Sequence, residues 1–257
     1  MCIISLAWQL IPDQPLLLLA NRDEFYARPT TPLQRWAEQP ILAGRDQQSG
    51  GTWLGMTPSG RWAALTNFRQ VPSLKPSPEL LRSRGLLVSE YLASDVSPLE
   101  FARQIELLRY EGFSLLLGNR EQAVVVSNRG IAPTVLAAGL YVLSNALIDE
   151  PWPKVERLRQ RTTQEVLPLL QNKLRTGQDW QAAAFDVLAD SRTAEDEQLP
   201  QTGVGLEMER LLSSVFIASP IYGTRCSTVL AFDDQGYQLS EQTHATGDGR
   251  VTEFGRW

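Results

Sequence analysis

Histidine is nearly missing from this chain: 257 residues hold one, His244. Cysteine is almost as scarce, at two, Cys2 and Cys226. One histidine and two thiols make a conventional zinc site a poor fit, and two thiols do not make a disulfide framework. A cysteine or serine nucleophile usually takes its base from an imidazole, and here the sole imidazole sits in a polar C-terminal stretch. Long apolar runs are also missing. Leu16 to Ala20 and Ser114 to Leu117 are too short to span a bilayer. No basic region precedes the first apolar stretch, which Pro12 and Asp13 interrupt, so it does not read as a signal peptide. There is no basic stripe, and net charge is −5, which disfavours nucleic acid as a partner. With 43% hydrophobic and 21% charged residues, the composition is that of an ordinary globular protein, read as cytoplasmic.

What the chain does have stands at its second position. Cys2 follows the initiator methionine, at the head of the apolar run Ile3 to Trp8. Its side chain is small, so an aminopeptidase that trims Met1 is expected to act here. Trimming leaves a thiol and a primary amine on one residue. Their ordinary pKa values, about 8.5 and about 8, let the amine serve the thiol as base. The alternative is a small apolar residue opening a buried strand.

Cys2–Leu10 and Leu16–Ala20 read as strands of a hairpin turning at Pro12 to Pro15. Such a hairpin returns Asn21-Arg22-Asp23-Glu24 to the neighbourhood of Cys2. A guanidinium there favours thiolate, and a carboxylate can hold the amine. Four polar residues in a row also suit a solvated turn. Thr52–Thr57 and Arg61–Thr66 read as a second hairpin, and Val71–Pro78 as a proline-rich loop. Helices are expected over Pro78–Ala93, Ser97–Tyr110 with Ser97 as N-cap, Trp152–Leu170, Asp179–Ala189 and Met208–Phe216. Asp190–Gly205 reads as an exposed acidic loop. Further strands are expected at Phe113–Gly118, Gln122–Ser127, Leu140–Ser144, Thr224–Phe232, Gly236–His244 and Arg250–Phe254.

This order, strands then helices in alternating blocks, argues against a doubly wound parallel sheet and for two mainly antiparallel sheets flanked by helices. No repeat and no domain boundary is visible, so residues 1–257 read as one domain. Asn67 and Asn145 each end a strand, where an amide can donate to an oxyanion or simply start a turn. Arg225 reads as an arginine at a sheet rim. Gly50-Gly51 and Gly203-Val204-Gly205 lack a phosphate-loop lysine and read as turns. Trp36, Trp53, Trp62 and Trp152 flank these segments, as core or as pocket lining.

Met-Cys-Ile, Leu-Ala-Asn-Arg-Asp-Glu, Ser49 to Gly55, Leu143-Ser144-Asn145 with Pro151-Trp152, and Tyr222 to Val229, taken in order, resemble the NRDE family. It is also called the transport and Golgi organisation protein 2 family. That family is similar to the N-terminal-nucleophile hydrolases of the penicillin V acylase and bile salt hydrolase group. The resemblance implies an α+β fold, a four-layer α-β-β-α sandwich. It implies catalytic roles for Cys2, Arg22, Asp23, Asn67, Asn145 and Arg225. Asn21, Glu24 and Trp53 are the candidate substrate-binding residues. No cofactor and no metal is expected. The expected partner is a small-molecule amide or an amphipathic ligand such as haem, with no nucleic acid and no stable membrane insertion. The expected chemistry is cysteine amidohydrolysis of a non-peptide C–N bond, with ligand binding or trafficking on the same scaffold as the alternative.

Overall fold

The computed structural model describes residues 2–69, 81–171, 179–244 and 249–257. Strand β1 (Cys2–Ile11) is apolar on both faces, and both faces are covered. Ile4, Leu6 and Trp8 enter one core, while Ile3, Ala7 and Ile11 enter another. This split follows from the two-residue period of a strand. β2 (Gln14–Phe25) returns antiparallel after a two-residue turn, with Asp13 at φ 62.

The first sheet runs β10-β1-β2-β11-β12-β13, with β10 (Gly139–Leu143), β11 (Tyr222–Phe232), β12 (Gly236–Thr243) and β13 (Gly249–Arg256). The second runs in chain order from β3 to β9: Thr30–Arg35, Leu42–Asp46, Leu54–Met56, Trp62–Asn67, Phe113–Gly118, Ala123–Ser127 and Ile131–Val135. Every pairing is antiparallel.

Leu6, Leu18 and Leu230 meet Met56, Trp62 and Leu116 between the sheets. The Trp8 and Trp62 rings lie 6.2 Å apart across that layer. Helices α3 (Pro153–Arg161), α4 (Leu167–Gln171) and α5 (Trp180–Leu188) cover the outer face of the first sheet through Val155, Leu158 and Phe185. Helices α1 (Gly85–Ala93) and α2 (Pro98–Gln104) cover the second through Leu87, Tyr91 and Ala102. The result is the expected α-β-β-α sandwich.

The differences from expectation lie at edges and ends. β3, β4 and β9 are strands that the sequence pattern did not show. β3 and β9 carry Pro32 and Pro133 and are sheet edges, where proline is tolerated and alternation is weak. α1 begins at Gly85; the expected start over residues 78–80 lies outside the described residues, and in the segment before the helix Arg82 N–H donates to Arg109 C=O at 2.8 Å, while Thr52 N–H donates to the Gly85 C=O at 3.2 Å. Backbones touch there, and a Cβ on Gly51 would lie 2.5 Å from the Gly85 carbonyl carbon. The second helix stops at Gln104 and is followed by a short 3-10 turn, Leu107–Arg109. The last, α6, is Leu206–Leu211 rather than Met208–Phe216. The helix from Trp152 onward forms as expected, with one π turn at Thr162–Val166. The Val71–Pro78 loop lies outside the described residues.

Candidate active site

Cys2 opens β1 on the face shared with Arg22, because strand register sets Cys2 opposite Arg22. On the other side of β2, Cys226 also pairs with Arg22. Three adjacent strands therefore place Cys2, Arg22 and Cys226 in one row, on the floor of a cleft between the ends of the two sheets. The walls include Glu24, Arg28, Asp46, Trp53, Asn67, Arg84, Arg225 and Glu241.

Burial pushes the Cys2 thiol above its ordinary range, and the Asp23 carboxylate adds to that. The N-terminal ammonium, Arg22 and a hydrogen bond from the Asp23 backbone N–H act in the opposite sense. Arg22 is itself fixed: Nη1 donates to Thr30 Oγ1 at 3.4 Å and Nη2 to Asp46 Oδ2 at 3.5 Å. Asp46 is braced by Arg28 Nε at 2.6 Å, and its Oδ1 caps the backbone N–H groups of Gln48 and Ser49. Glu24 lies 3.9 Å from both Arg22 and Arg28.

Asp23 points to the opposite face of β2, toward the α3 layer. Burial raises its carboxyl pKa, and the N-terminal ammonium, then Lys154, Thr224 and Arg22, counter that shift. Thr224 Oγ1 donates to Asp23 Oδ1 at 2.7 Å and accepts from Ile217 N–H at 2.9 Å. A register shift between Thr224 and Cys226 lets Arg225 bulge from β11. Its Nη1 donates to the Phe25 and Tyr26 carbonyls, at 2.9 and 2.7 Å.

The two asparagines meet. Asn145 Nδ2 donates to the Asn67 carbonyl at 3.0 Å, tying the end of β10 to the end of β6 across the sandwich. Ser144 Oγ bonds the Cys2 carbonyl at 3.4 Å. A primary amide has two N–H donors, so Asn145 keeps a second one. Asn67 lines the cleft, as does Trp53.

Asn21 shares its face of β2 with Asp23 and, unlike Asp23, does not line the cleft. It neighbours Arg22 on β2 and so faces away from the cleft. Its Nδ2 donates to the Leu188 and Val215 carbonyls at 2.8 and 2.9 Å, and Ser227 Oγ donates to its Oδ1 at 2.7 Å. It clamps α5 and the segment before β11 to the sheet. His244 lies on that face too, 3.0 Å from Ser227 Oγ and edge-on to Phe216.

Sequence reasoning did not single out Asp46, Glu241, Thr224, Lys154 or the Arg69–Glu209 pair, and it read Cys226 only as a thiol. Glu241, with Oε1 accepting from Leu33 N–H at 2.7 Å, is buried beside Cys226 and its pKa is raised by that burial. Sequence gave one signal for Lys154: a cation in the first turn of a helix, where the dipole favours anions.

Residues 1–245 match the family model described as Transport and Golgi organisation 2. The chain belongs to that family. It is 36% identical over 242 residues to the Transport and Golgi organization protein 2 homolog of Bos taurus, covering 86% of this chain and 83% of that protein. It is 35% identical over 245 residues to the Homo sapiens homolog, with the same coverage. Among solved structures, a Caenorhabditis elegans N-acylethanolamine-hydrolyzing acid amidase ortholog aligns with TM-score 0.49 at 14% identity, over 89% of this chain and 92% of that one. A Clostridium perfringens conjugated bile acid hydrolase aligns with TM-score 0.49 at 10% identity, over 99% of this chain and 97% of that one. Within the described residues of this Transport and Golgi organisation 2 member, no helix is long and apolar enough to cross a membrane.

Proposed function

We propose that this chain hydrolyses a non-peptide amide, with Cys2 as its N-terminal nucleophile once Met1 is removed. The observation that carries this reading is the position of the Cys2 sulfur. It sits at the strand end that opens into a cleft, with the Asp23 N–H bonded to it and the Arg22 charge acting on it, while His244 serves Ser227 on the far face.

The α-amine takes the thiol proton, and Sγ attacks the amide carbon. The tetrahedral oxyanion draws on the second Asn145 N–H and on Asn67. Losing one such donor costs about 3 kcal/mol of barrier. Collapse breaks the C–N bond, and the α-ammonium gives its proton to the leaving amine. Water then releases the acyl group from the thioester. Arg225, Arg22 and Glu24 orient the substrate at the mouth.

The test uses chain with Met1 removed and a panel of N-acyl amides. Turnover is expected in the trimmed protein and is lost in Cys2→Ala, whose fold is preserved. Equal turnover by Cys2→Ala contradicts the mechanism.

A second reading rests on the mixed character of the same cleft. Arg28, Arg84 and Arg225 face it together with apolar Trp53 and Leu65, which suits an amphipathic ligand such as haem bound without chemistry. Titration with haem separates the two: saturable binding that persists in Cys2→Ala, with no turnover of any amide, favours this second reading.

A further inference from the structure

Lys154 is placed against every ordinary preference of a lysine. It is 1% exposed, and its Nζ has no hydrogen-bond partner among the described residues. It stands in the first turn of α3, where the helix dipole disfavours a cation. A second buried cation, Arg69, lies beside it, stacked 4.5 Å over the neighbouring Trp152 ring and paired with Glu209 at 2.7 Å. The chain uses lysine three times, at Lys75, Lys154 and Lys173, against 21 arginines, and it buries this one.

The groups that act on Lys154 come from three elements and the segment just past β6. Burial lowers its pKa to about 8, and Arg69, just past β6, pushes the same way. Asp23 on β2, Cys2 on β1 and Glu209 on α6 attract it. Tyr222 on β11, a phenol held neutral by burial, completes the surroundings of Asp23.

One carboxylate, Asp23, thus stands near two amines once Met1 is gone. The first backbone nitrogen of β1 lies opposite Arg22 and so beside Asp23. Asp23 alone would stabilise that nitrogen as an ammonium, which cannot accept a proton. A second positive charge on the same carboxylate counters this bias.

We propose that Lys154 is a positioning residue, whose ammonium offsets the charge of the Asp23 carboxylate so that the Cys2 α-amine stays in its neutral form and can accept the thiol proton. This rests on the processed-nucleophile reading above and adds a residue to it. In the step concerned, the Sγ–H bond breaks and an N–H bond forms on Cys2, while Lys154 keeps its own protons.

The experiment needs no substrate. Protein beginning at Cys2 is made by cleavage of a fusion, so cellular trimming is not required. Labelling with 13C-cysteine and 13C-ε-lysine gives signals from two cysteines and three lysines. The Cys2 amine midpoint is expected to rise by about one unit, a tenfold loss of free amine at neutral pH, in Lys154→Met, and to return in Lys154→Arg. An unchanged midpoint in folded Lys154→Met overturns the proposal. Should that variant not fold, the Lys154 midpoint is followed in Asp23→Asn. It must fall there, and an unchanged Lys154 midpoint also overturns the proposal. Absence of amide turnover with these shifts intact sinks the hydrolase reading alone.

Discussion

Replacing Glu209 with glutamine tests how α6 is held to the segment that follows β6. Glu209 and Arg69 form an ion pair at 2.7 Å with side chains 6% and 5% exposed. Glu209 Oε1 also accepts from Thr202 N–H at 2.8 Å and Thr202 Oγ1 at 2.5 Å. Removing one partner of a buried pair typically costs about 3–5 kcal/mol, because the other charge is left uncompensated. Glutamine keeps an oxygen for Thr202, which favours the lower end, about 3 kcal/mol. For a chain of this size that corresponds to a Tm decrease of roughly 6–12 °C. Lys154 adds to the penalty, since Glu209 attracts it and Arg69 repels it. Arg69→Met combined with Glu209→Gln should therefore recover much of the loss, as the methionine keeps an apolar stem over Trp152 and no charge is stranded. Urea unfolding of the two single variants and the double variant measures all three terms. A Glu209→Gln cost below about 1 kcal/mol, or a double variant equal to the sum of the singles, refutes this account of the buried pair.

Asn21→Ala strands the Leu188 and Val215 carbonyls and the Ser227 hydroxyl, so it should cost about 3 kcal/mol in stability while leaving Cys2 alkylation in the folded protein unchanged. Slower alkylation at constant fold would instead place Asn21 in the site. Burial raises the Glu241 pKa above its ordinary 4.5, so the native state holds that proton more tightly than the unfolded chain. Its stabilising contribution is therefore present at the acid end and lost as pH rises from 4.5 through the raised native value. Glu241→Gln should flatten stability over that window, and urea midpoints with the same slope as the parent protein would contradict the sign. Asp23 contributes a slope of the same sign, so the comparison is the difference between variant and parent.

The sandwich was legible because its buried strands carry short apolar runs of strand length. β1, β2 and β11 are hydrophobic on both faces, and short turns bound them. The hairpin alone brings Arg22 and Asp23 back to Cys2, since antiparallel register follows from turn length. Alternation also separates Asn21 and Asp23 from Arg22, yet reading all four polar residues as one cluster hid that division. Asp46, Glu241 and Lys154 were not legible because pairings across more than twenty residues bring them in: Asp46 meets Arg22 from another sheet, and Glu241 reaches Leu33 from β12. The edge strands were missed where proline and exposure erase the period.

The most direct measurement is intact mass with peptide mapping of the purified chain after exposure to a thiol-acylating amide analogue. The account predicts loss of Met1 and one acyl group on the N-terminal peptide, absent from Cys2→Ala and from protein that retains Met1. Acylation of Cys226 instead, or equal labelling whether or not Met1 is present, contradicts a nucleophile that works with its own amine.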